Sequence, residues 1–588
     1  MTTTVDGAAA GAVAAGPGAV AAGPGAVAMT TTVEAPRVRG RKPTLGVGFL
    51  PLTSPGAANL IAIAIPAIAG AVVTAIALTS RSLWLDEGST FTIASQHGHA
   101  LWHGIANDGG NMLGYYLLMH VLVGWFGHAL WLLRLPSVIA TAATGGLVAA
   151  LALRLFSGRR RLAVAAGLLT VVSVPLVFWG QNARGYAILV ALSVASFLAL
   201  TAILQTPPER APARGAVIAY VLSTLAAMYV GYDVALLIPA QLALLLVYRE
   251  RARLVIGCLA IVLALSIPLV VLALQRGSGQ LFWVTPLSMQ IAVQAGLTLL
   301  SAGMPPNFHH TSTTVLAALV TGPVLLVALL LATYSAVRDG RRALPVLILL
   351  SWFAIPTVLA LGAYGAGEPV ELARVTILVM PAVALLLAWL LLGPGLAAAR
   401  GSGVTGVLSP GAAAVLRQVA PTLGVAGVAV LLALRLLQLI PSYGTSPEPW
   451  NAATKYVLAA TPTSEPACVA FYPSDGREPF DYYLLSRGGG AGASLTPALP
   501  ALAWSSVRPY VEDYVSVDAG QRASIASACP RLWLISSHAG RAHGGTPQSR
   551  ANFVRYRTLE KGLLRLYPHT SERDFGWASR VEVRLLYR

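Results

Sequence analysis

The chain reads as an all-α polytopic membrane protein with a C-terminal α/β domain. Three observations predict this. Hydrophobic residues make up 56% of the 588 residues and charged residues only 11%, where a soluble chain would carry about a quarter charged. The apolar residues fall in runs close to the ~20 residues that a helix needs to cross a bilayer. Beyond residue 442 these runs stop, and charges, Tyr and Pro become frequent.

Residues 1–43 read as a disordered cytoplasmic tail. GAVAAGP recurs at Gly11–Pro17 and Gly18–Pro24, and MTTTV at Met1–Val5 and Met29–Val33, without aromatic anchors. Met29 is a second candidate start. The tail lacks the basic-then-apolar order of a signal peptide, so no cleavage is expected there. Residues 44–441 form the membrane domain. Its candidate spans are 57–79, 133–156, 163–179, 186–204, 215–231, 234–248, 254–274, 311–333, 344–362, 375–392 and 420–441, about eleven in all.

The run Met112–Phe126 is short for a span and suits a helix lying in the interface. Charge decides its placement. With 112–126 flat on the outside, Arg37, Arg39, Arg41, Lys42, Arg159–Arg161, Arg210, Arg214, Arg249, Arg251, Arg253, Arg338, Arg341, Arg342, Arg400 and Arg417 all fall on one face, which the positive-inside rule makes cytoplasmic. Spread over short loops in this way, the net charge of +17 is a topology signal and no argument for nucleic acid. The first outer loop then runs over 80–132. Asp86, Glu87, Asp108, Arg184, Asp233, Glu368, Glu371 and Arg374 share the outer face with residues 442–588.

Residues 442–588 read as an extracytoplasmic soluble α/β domain. Strand-like runs occupy Cys468–Tyr472, Arg531–Ser536 and Val581–Tyr587, and helix-like patterns Trp450–Ala460 and Asn552–Lys561. Cys468 and Cys529 each begin or precede a strand-like run, so neighbouring strands can bring them within bridging range. Two separate reduced thiols are the alternative. Cys258 lies in an apolar run and reads as packing.

Chemistry gathers at the outer span ends. Leu83-Trp84-Leu85-Asp86-Glu87-Gly88-Ser89-Thr90 follows the first span. Only 23 Asp and Glu occur in the chain, and a carboxylate at a membrane boundary is costly unless used or paired. Arginine can hold a phosphate with paired donors, and a carboxylate can take a proton from an attacking hydroxyl. Together they suit glycosyl transfer from a lipid-phosphate sugar. A transporter would place its charges near mid-membrane in broken helices. No Gly-rich phosphate loop supports an ATP-driven pump.

At these residues the chain resembles the GT-C membrane glycosyltransferases, in the branch that contains protein O-mannosyltransferases and aminoarabinose transferases of lipid A. The matching pieces are LWLDEGST, DGGNMLGYYLLMH, RLPS at Arg134–Ser137, QNARGY at Gln181–Tyr186, and the Arg of LARVTILVMPA at Arg374. The resemblance implies a GT-C-like fold with an outward-facing active site. It also implies a polyprenyl-phosphate sugar donor, mannose by default, and a glycan, lipid or protein acceptor in the cell envelope. It puts Asp86 in the catalytic place with Glu87 beside it. The chain departs from the family at Asn111-Met112-Leu113, where His-Pro-Pro is common, at Asn182 in place of Glu, and at Arg374-Val375 in place of Arg-Tyr.

The candidate catalytic residues are therefore Asp86 and Glu87. The candidates for holding sugar or phosphate are Asp108, Asn111, Tyr115, Arg184, Tyr186 and Arg374, with Arg184 and Arg374 on the phosphate. Tyr115 and Tyr116 also read as interfacial anchors. His97, His99 and His103 lack a regular ligand spacing, so no metal site is assigned, and a divalent cation stays open as a cofactor. Membrane lipids are the other expected partners. A transporter or flippase of lipid-linked intermediates and a non-catalytic envelope scaffold are the competing readings.

Overall fold

A computed structural model describes residues 56–588 apart from 278–283, 285–287, 302–311, 368–369, 371, 395–409, 489–491, 507–513, 544–545 and 577–579. The tail expected at 1–43, with Met29, lies outside the described residues, as do Glu368 and Glu371.

Long apolar runs become long helices because their backbone groups bond internally and leave apolar side chains to face lipid or one another. The stretches Ala57–Ala75, Leu130–Leu155, Tyr186–Leu204, Ser312–Gly365, Val375–Leu392 and Val419–Ser442 are long and apolar enough to cross a membrane. Ser312–Gly365 itself holds two helices, Ser312–Asp339 and Leu344–Gly365. With two bent pairs counted as spans, the described residues supply six to eight, fewer than the apolar runs in the sequence. The runs at 215–231 and 234–248 form short helical segments, Arg214–Val230 and Tyr232–Leu246, and Leu113–Phe126 has 14 residues.

Two expected continuous spans are broken. Arg160–Val171 meets Val174–Gly180 at 64°, and Arg249–Leu265 meets Ile267–Arg276 at 50°. Each break carries Ser-x-Pro, at Ser173-Val174-Pro175 and Ser266-Ile267-Pro268. Proline lacks the donor that would continue the first helix, and it fits the first turn of the next. At the first break the Ser173 N–H turns to the Thr170 carbonyl at 3.2 Å, and the Arg435 guanidinium donates to the Leu169 carbonyl.

Small residues set the packing of the first helices. A Cβ at Gly145 would lie 2.5 Å from the Pro66 carbonyl oxygen, and one at Gly167 2.6 Å from the Pro66 Cβ. Three helices therefore approach closely at Pro66, the membrane solution for tight helix contacts.

The C-terminal domain has five strands, β1 (Ala467–Tyr472), β2 (Leu495–Leu499), β3 (Arg531–Ser536), β4 (His569–Phe575) and β5 (Val581–Tyr587), in the order β2-β1-β3-β5-β4. β1 is parallel to β2 and β3, and β5 is antiparallel to β3 and β4. Strand alternation gives the sheet two apolar faces. Val469, Phe471, Trp533, Ile535, Val581 and Val583 join a core that continues through Phe480 and Tyr482 into the membrane domain. Cys468, Ala470, Leu532, Leu534 and Leu586 pack on Ala526, Tyr556, Leu559 and Leu563 of two covering helices. Cys468 and Cys529 form a disulfide, Cα atoms 5.7 Å apart.

Candidate active site

The acidic pair opens a short helix, Leu85–Ala94. Carboxylates suit a helix's first turn, where unpaired N–H groups and the dipole are positive. Trp84 at the N-cap gives no side-chain cap. The cap comes instead from the C-terminal domain, where Glu448 accepts the Leu85 N–H at 3.1 Å and the Trp450 indole N–H at 2.8 Å. Burial raises the Glu448 pKa, opposed by His538 at 3.3 Å.

Glu87 is fully buried and doubly bonded to Arg134, whose Nε and Nη2 donate at 2.8 and 2.7 Å. It also accepts the Ala183 N–H at 2.7 Å. The other Arg134 donors reach the carbonyls of Leu78, Arg81 and Ser82 at 2.6, 3.2 and 3.2 Å. All five guanidinium N–H groups thus have acceptors, the condition under which a buried ion pair is tolerated. The pair ties the acidic helix, the helix Leu130–Leu155 and the loop before Tyr186 into one unit.

Asp86 sits differently. Its side chain is 22% exposed, and the Arg184 Nε lies 3.6 Å from Oδ2. The Arg184 Nη1 donates to the Tyr116 hydroxyl at 3.1 Å and to Thr90 Oγ1 at 3.4 Å, and Tyr116 donates to buried Asp108 at 2.7 Å. Asp86, Arg184, Tyr116 and Asp108 therefore form one polar line. Ser137 fixes the Arg184 carbonyl at 3.1 Å. Asp108 is carried by a tight turn in which Gly109, Gly110 and Met112 all have positive φ. A Cβ at Gly110 would meet Leu272 at 2.8 Å, so close packing as well as backbone geometry requires glycine there.

The structure places the remaining candidates around this line. Asn111 is half-buried, and its N–H bonds the Asp108 carbonyl at 3.1 Å. Tyr115 is fully buried, and burial pushes its pKa up, with Ser137, Glu87 and Arg184 as its electrostatic neighbours. Tyr186 is buried with its ring 4.3 Å from Trp179. Arg374 falls in the first turns of Leu372–Leu392, and its side chain lies outside the described residues. His97 stands 5.1 Å from His120 and His99 6.2 Å from His103, ring to ring. Among the described residues no group of three or more His, Cys, Asp or Glu side chains is placed to hold a metal ion.

The C-terminal domain docks directly on this constellation. The Tyr483 hydroxyl accepts the Leu83 N–H at 2.6 Å, and Ser82 bonds the same hydroxyl at 3.1 Å. Tyr482 donates to the His128 carbonyl at 3.0 Å and meets Phe91 edge-on at 5.2 Å. A Cβ at Gly88 would lie 2.9 Å from the Pro479 nitrogen, so the two backbones touch there.

Among solved structures, the chain superposes on the crystal structure of ArnT from Cupriavidus metallidurans bound to undecaprenyl phosphate with a TM-score of 0.51. The identity is 15%, covering 88% of this chain and 96% of that one. The apo state of the same protein gives 0.51, 16%, 90% and 98% in the same order. The chain has the GT-C fold. Against the oligosaccharyltransferase of Archaeoglobus fulgidus, tethered to an acceptor peptide, the TM-score is 0.40 at 13% identity, covering 90% and 74%. No protein-family model and no curated protein sequence matches the chain.

Within this GT-C chain, sequence reasoning missed three groups. Arg134 was visible only as part of RLPS. A cation in the first turns of a long apolar run was the signal, because such a charge must find a partner. Arg81 is buried, stacks 5.0 Å from the Phe178 ring and donates to Gln181. Burial and then Arg134 push its pKa down to about 9. Glu448 and the helix Arg477–Ser486 come from far along the chain, and nothing local marks them as neighbours of Asp86.

Proposed function

We propose that this protein is a membrane glycosyltransferase that moves a sugar from a polyprenyl-phosphate donor to an acceptor outside the cytoplasm. The observation that carries the proposal is the division of labour in the acidic pair. Glu87 is consumed by Arg134, while Asp86 keeps a partly exposed carboxylate held beside Arg184. The shared fold with a protein crystallised on undecaprenyl phosphate supports a lipid-phosphate ligand.

Asp86 takes the proton of the acceptor hydroxyl as its oxygen attacks the anomeric carbon. The bond from that carbon to the phosphate oxygen breaks, and the electron pair leaves with the lipid phosphate. Arg184 and Arg374 stabilise the charge gathering there. Glu87 orients Asp86 through the acidic helix. Mannose is the default donor, with arabinose and aminoarabinose as alternatives. Asn111, Met112 and Leu113 offer a cation one side-chain oxygen, so no step is assigned to a metal.

The outward orientation rests on the positive-inside pattern and on the disulfide, which belongs in an oxidising compartment. Because the domain bearing it docks on the acidic helix, the two share a side of the membrane.

The test is transfer of labelled sugar from polyprenyl-phosphate mannose and its arabinose and aminoarabinose counterparts in membranes containing the protein. Transfer by the wild type from one of these donors is expected, with Asp86→Asn lowering it about 100-fold or more. Movement of labelled lipid across the bilayer without transfer would overturn the proposal in favour of a flippase.

A further inference from the structure

The helix Arg477–Ser486 carries a carboxyl that the reaction above does not use. Glu478 is 7% exposed, and its Oε2 accepts the Ser89 hydroxyl at 2.5 Å. Among the described residues that is its one hydrogen bond, and no cation pairs with it. Its neighbour Arg477 is turned away, with Nε on Asp481 at 3.0 Å and Nη1 and Nη2 on the carbonyls of Leu502 and Ala503. A buried carboxyl without a cation is costly, and such groups concentrate at functional sites.

Its position is fixed by the tightest contact between the two domains. Ser89 lies three residues after Asp86, on the neighbouring turn of the acidic helix. The backbone of Glu478 and Pro479 rests on Gly88 between them, with no space for a side chain. The backbone that carries Glu478 therefore cannot move away without undocking the domain. Burial pushes its pKa well above the usual glutamate range. The Ser89 hydrogen bond opposes this, while Asp475, Asp481 and Asp108 add to the rise.

We propose that the C-terminal domain completes the site, and that Glu478 is a substrate-contacting residue whose free carboxyl oxygen holds a carbohydrate hydroxyl beside Asp86. Its free oxygen accepts that hydroxyl while the other accepts from Ser89, a contact that an amide donor in the same place cannot make. The contacted hydroxyl belongs to the transferred sugar or to a glycan acceptor, and the chemistry of the contact is the same. This inference rests on the transferase reading and adds the residue that recognises carbohydrate.

The test uses the full-length protein in detergent and in vesicles. Binding of polyprenyl phosphate with and without mannose, arabinose or aminoarabinose is followed by tryptophan fluorescence, and transfer kinetics are measured alongside. Glu478→Gln preserves the Ser89 bond but removes the acid. If Glu478 holds the donor sugar, a sugar-bearing lipid loses about tenfold in affinity and bare polyprenyl phosphate loses none. If it holds the acceptor, both lipids bind as before and the acceptor KM rises about tenfold. Either result, with an unchanged melting temperature, supports the inference. Unchanged binding and kinetics, or equal loss for both lipids with a lower melting temperature, overturns it and leaves the transferase reading intact. A wild type that binds neither lipid contradicts both. Tyr483→Phe, which loosens docking without touching Glu478, separates the two roles. It should lower stability without discriminating sugar-bearing from bare lipid.

Discussion

Residues 86 and 87 are neighbours in sequence and opposites in environment. Successive side chains on a helix point about 100° apart, so one of an adjacent pair can face a protein core while the other faces a ligand. Glu87 meets Arg134 with every donor satisfied, and Asp86 meets Arg184 at the edge of exposure. Breaking a buried pair by removing one partner strands the other charge, at a cost of about 3–5 kcal/mol. Arg134→Met is therefore expected to reduce the yield and melting temperature of folded protein. Glu87→Gln/Arg134→Met together should recover part of the loss, as measured by thermal unfolding in detergent. The rarity of acidic residues made the pair visible in the sequence. The family resemblance put Asp86 first, but the uptake of Glu87 by Arg134 was not visible, because it depends on where the helix Leu130–Leu155 and the loop before Tyr186 bring their arginines.

At the scale of elements, the acidic helix is held from outside itself. Its first N–H is capped by Glu448, its Gly88 receives the backbone of Glu478 and Pro479, and Tyr483 bonds the turn before it. Part of this contact weakens as pH rises. Burial raises the Asp481 pKa to about 7, although Arg477 opposes the rise. Glu448 and Glu478 are raised as well, with His538, Asp86, Asp475 and Asp108 facing them. A carboxyl whose folded pKa lies above its unfolded value favours the folded state when protonated. Its contribution is complete below the unfolded value of 3.8 and is lost as pH rises through about 7. The melting temperature of the docked domain should thus fall as pH rises from about 4 to about 7, and Asp481→Asn should reduce the slope. A flat profile in the wild type would contradict this placement of the carboxyls. The sequence showed apolar runs well and breaks poorly. Hydropathy reads through Ser173-Val174-Pro175 and Ser266-Ile267-Pro268, although each proline ends a hydrogen-bonded ladder. β4 escaped notice because His569–Phe575 is a polar edge strand without apolar alternation, and β2 because Pro497 interrupts it.

Across the whole molecule, a helical membrane domain and a C-terminal sheet domain meet over the acidic helix. One face of the sheet extends the membrane domain's core and the other is closed by its own helices and the Cys468–Cys529 bridge. The bridge closes a loop over a sequence separation of 61 residues. Cys468→Ser should cost the domain about 2–5 kcal/mol, seen as a lower melting temperature that reductant reproduces in the wild type. Composition made the two-part architecture legible, since apolar runs and a charged, Tyr-rich segment cannot share one solvent. The intimacy of the two parts was hidden, because the contacts join residues near 85 to residues near 448 and 480, and no local pattern records such a pairing.

In the proposed reaction Asp86 is the base, and Glu87 holds the acidic helix in place through Arg134. Sugar transfer and thermal unfolding measured side by side on Asp86→Asn and Glu87→Gln test it most directly. Asp86→Asn should lose transfer about 100-fold or more with a wild-type melting temperature, and Glu87→Gln should lose stability first. Full transfer by Asp86→Asn, or a wild-type melting temperature in Glu87→Gln together with complete loss of transfer, would contradict this division of roles.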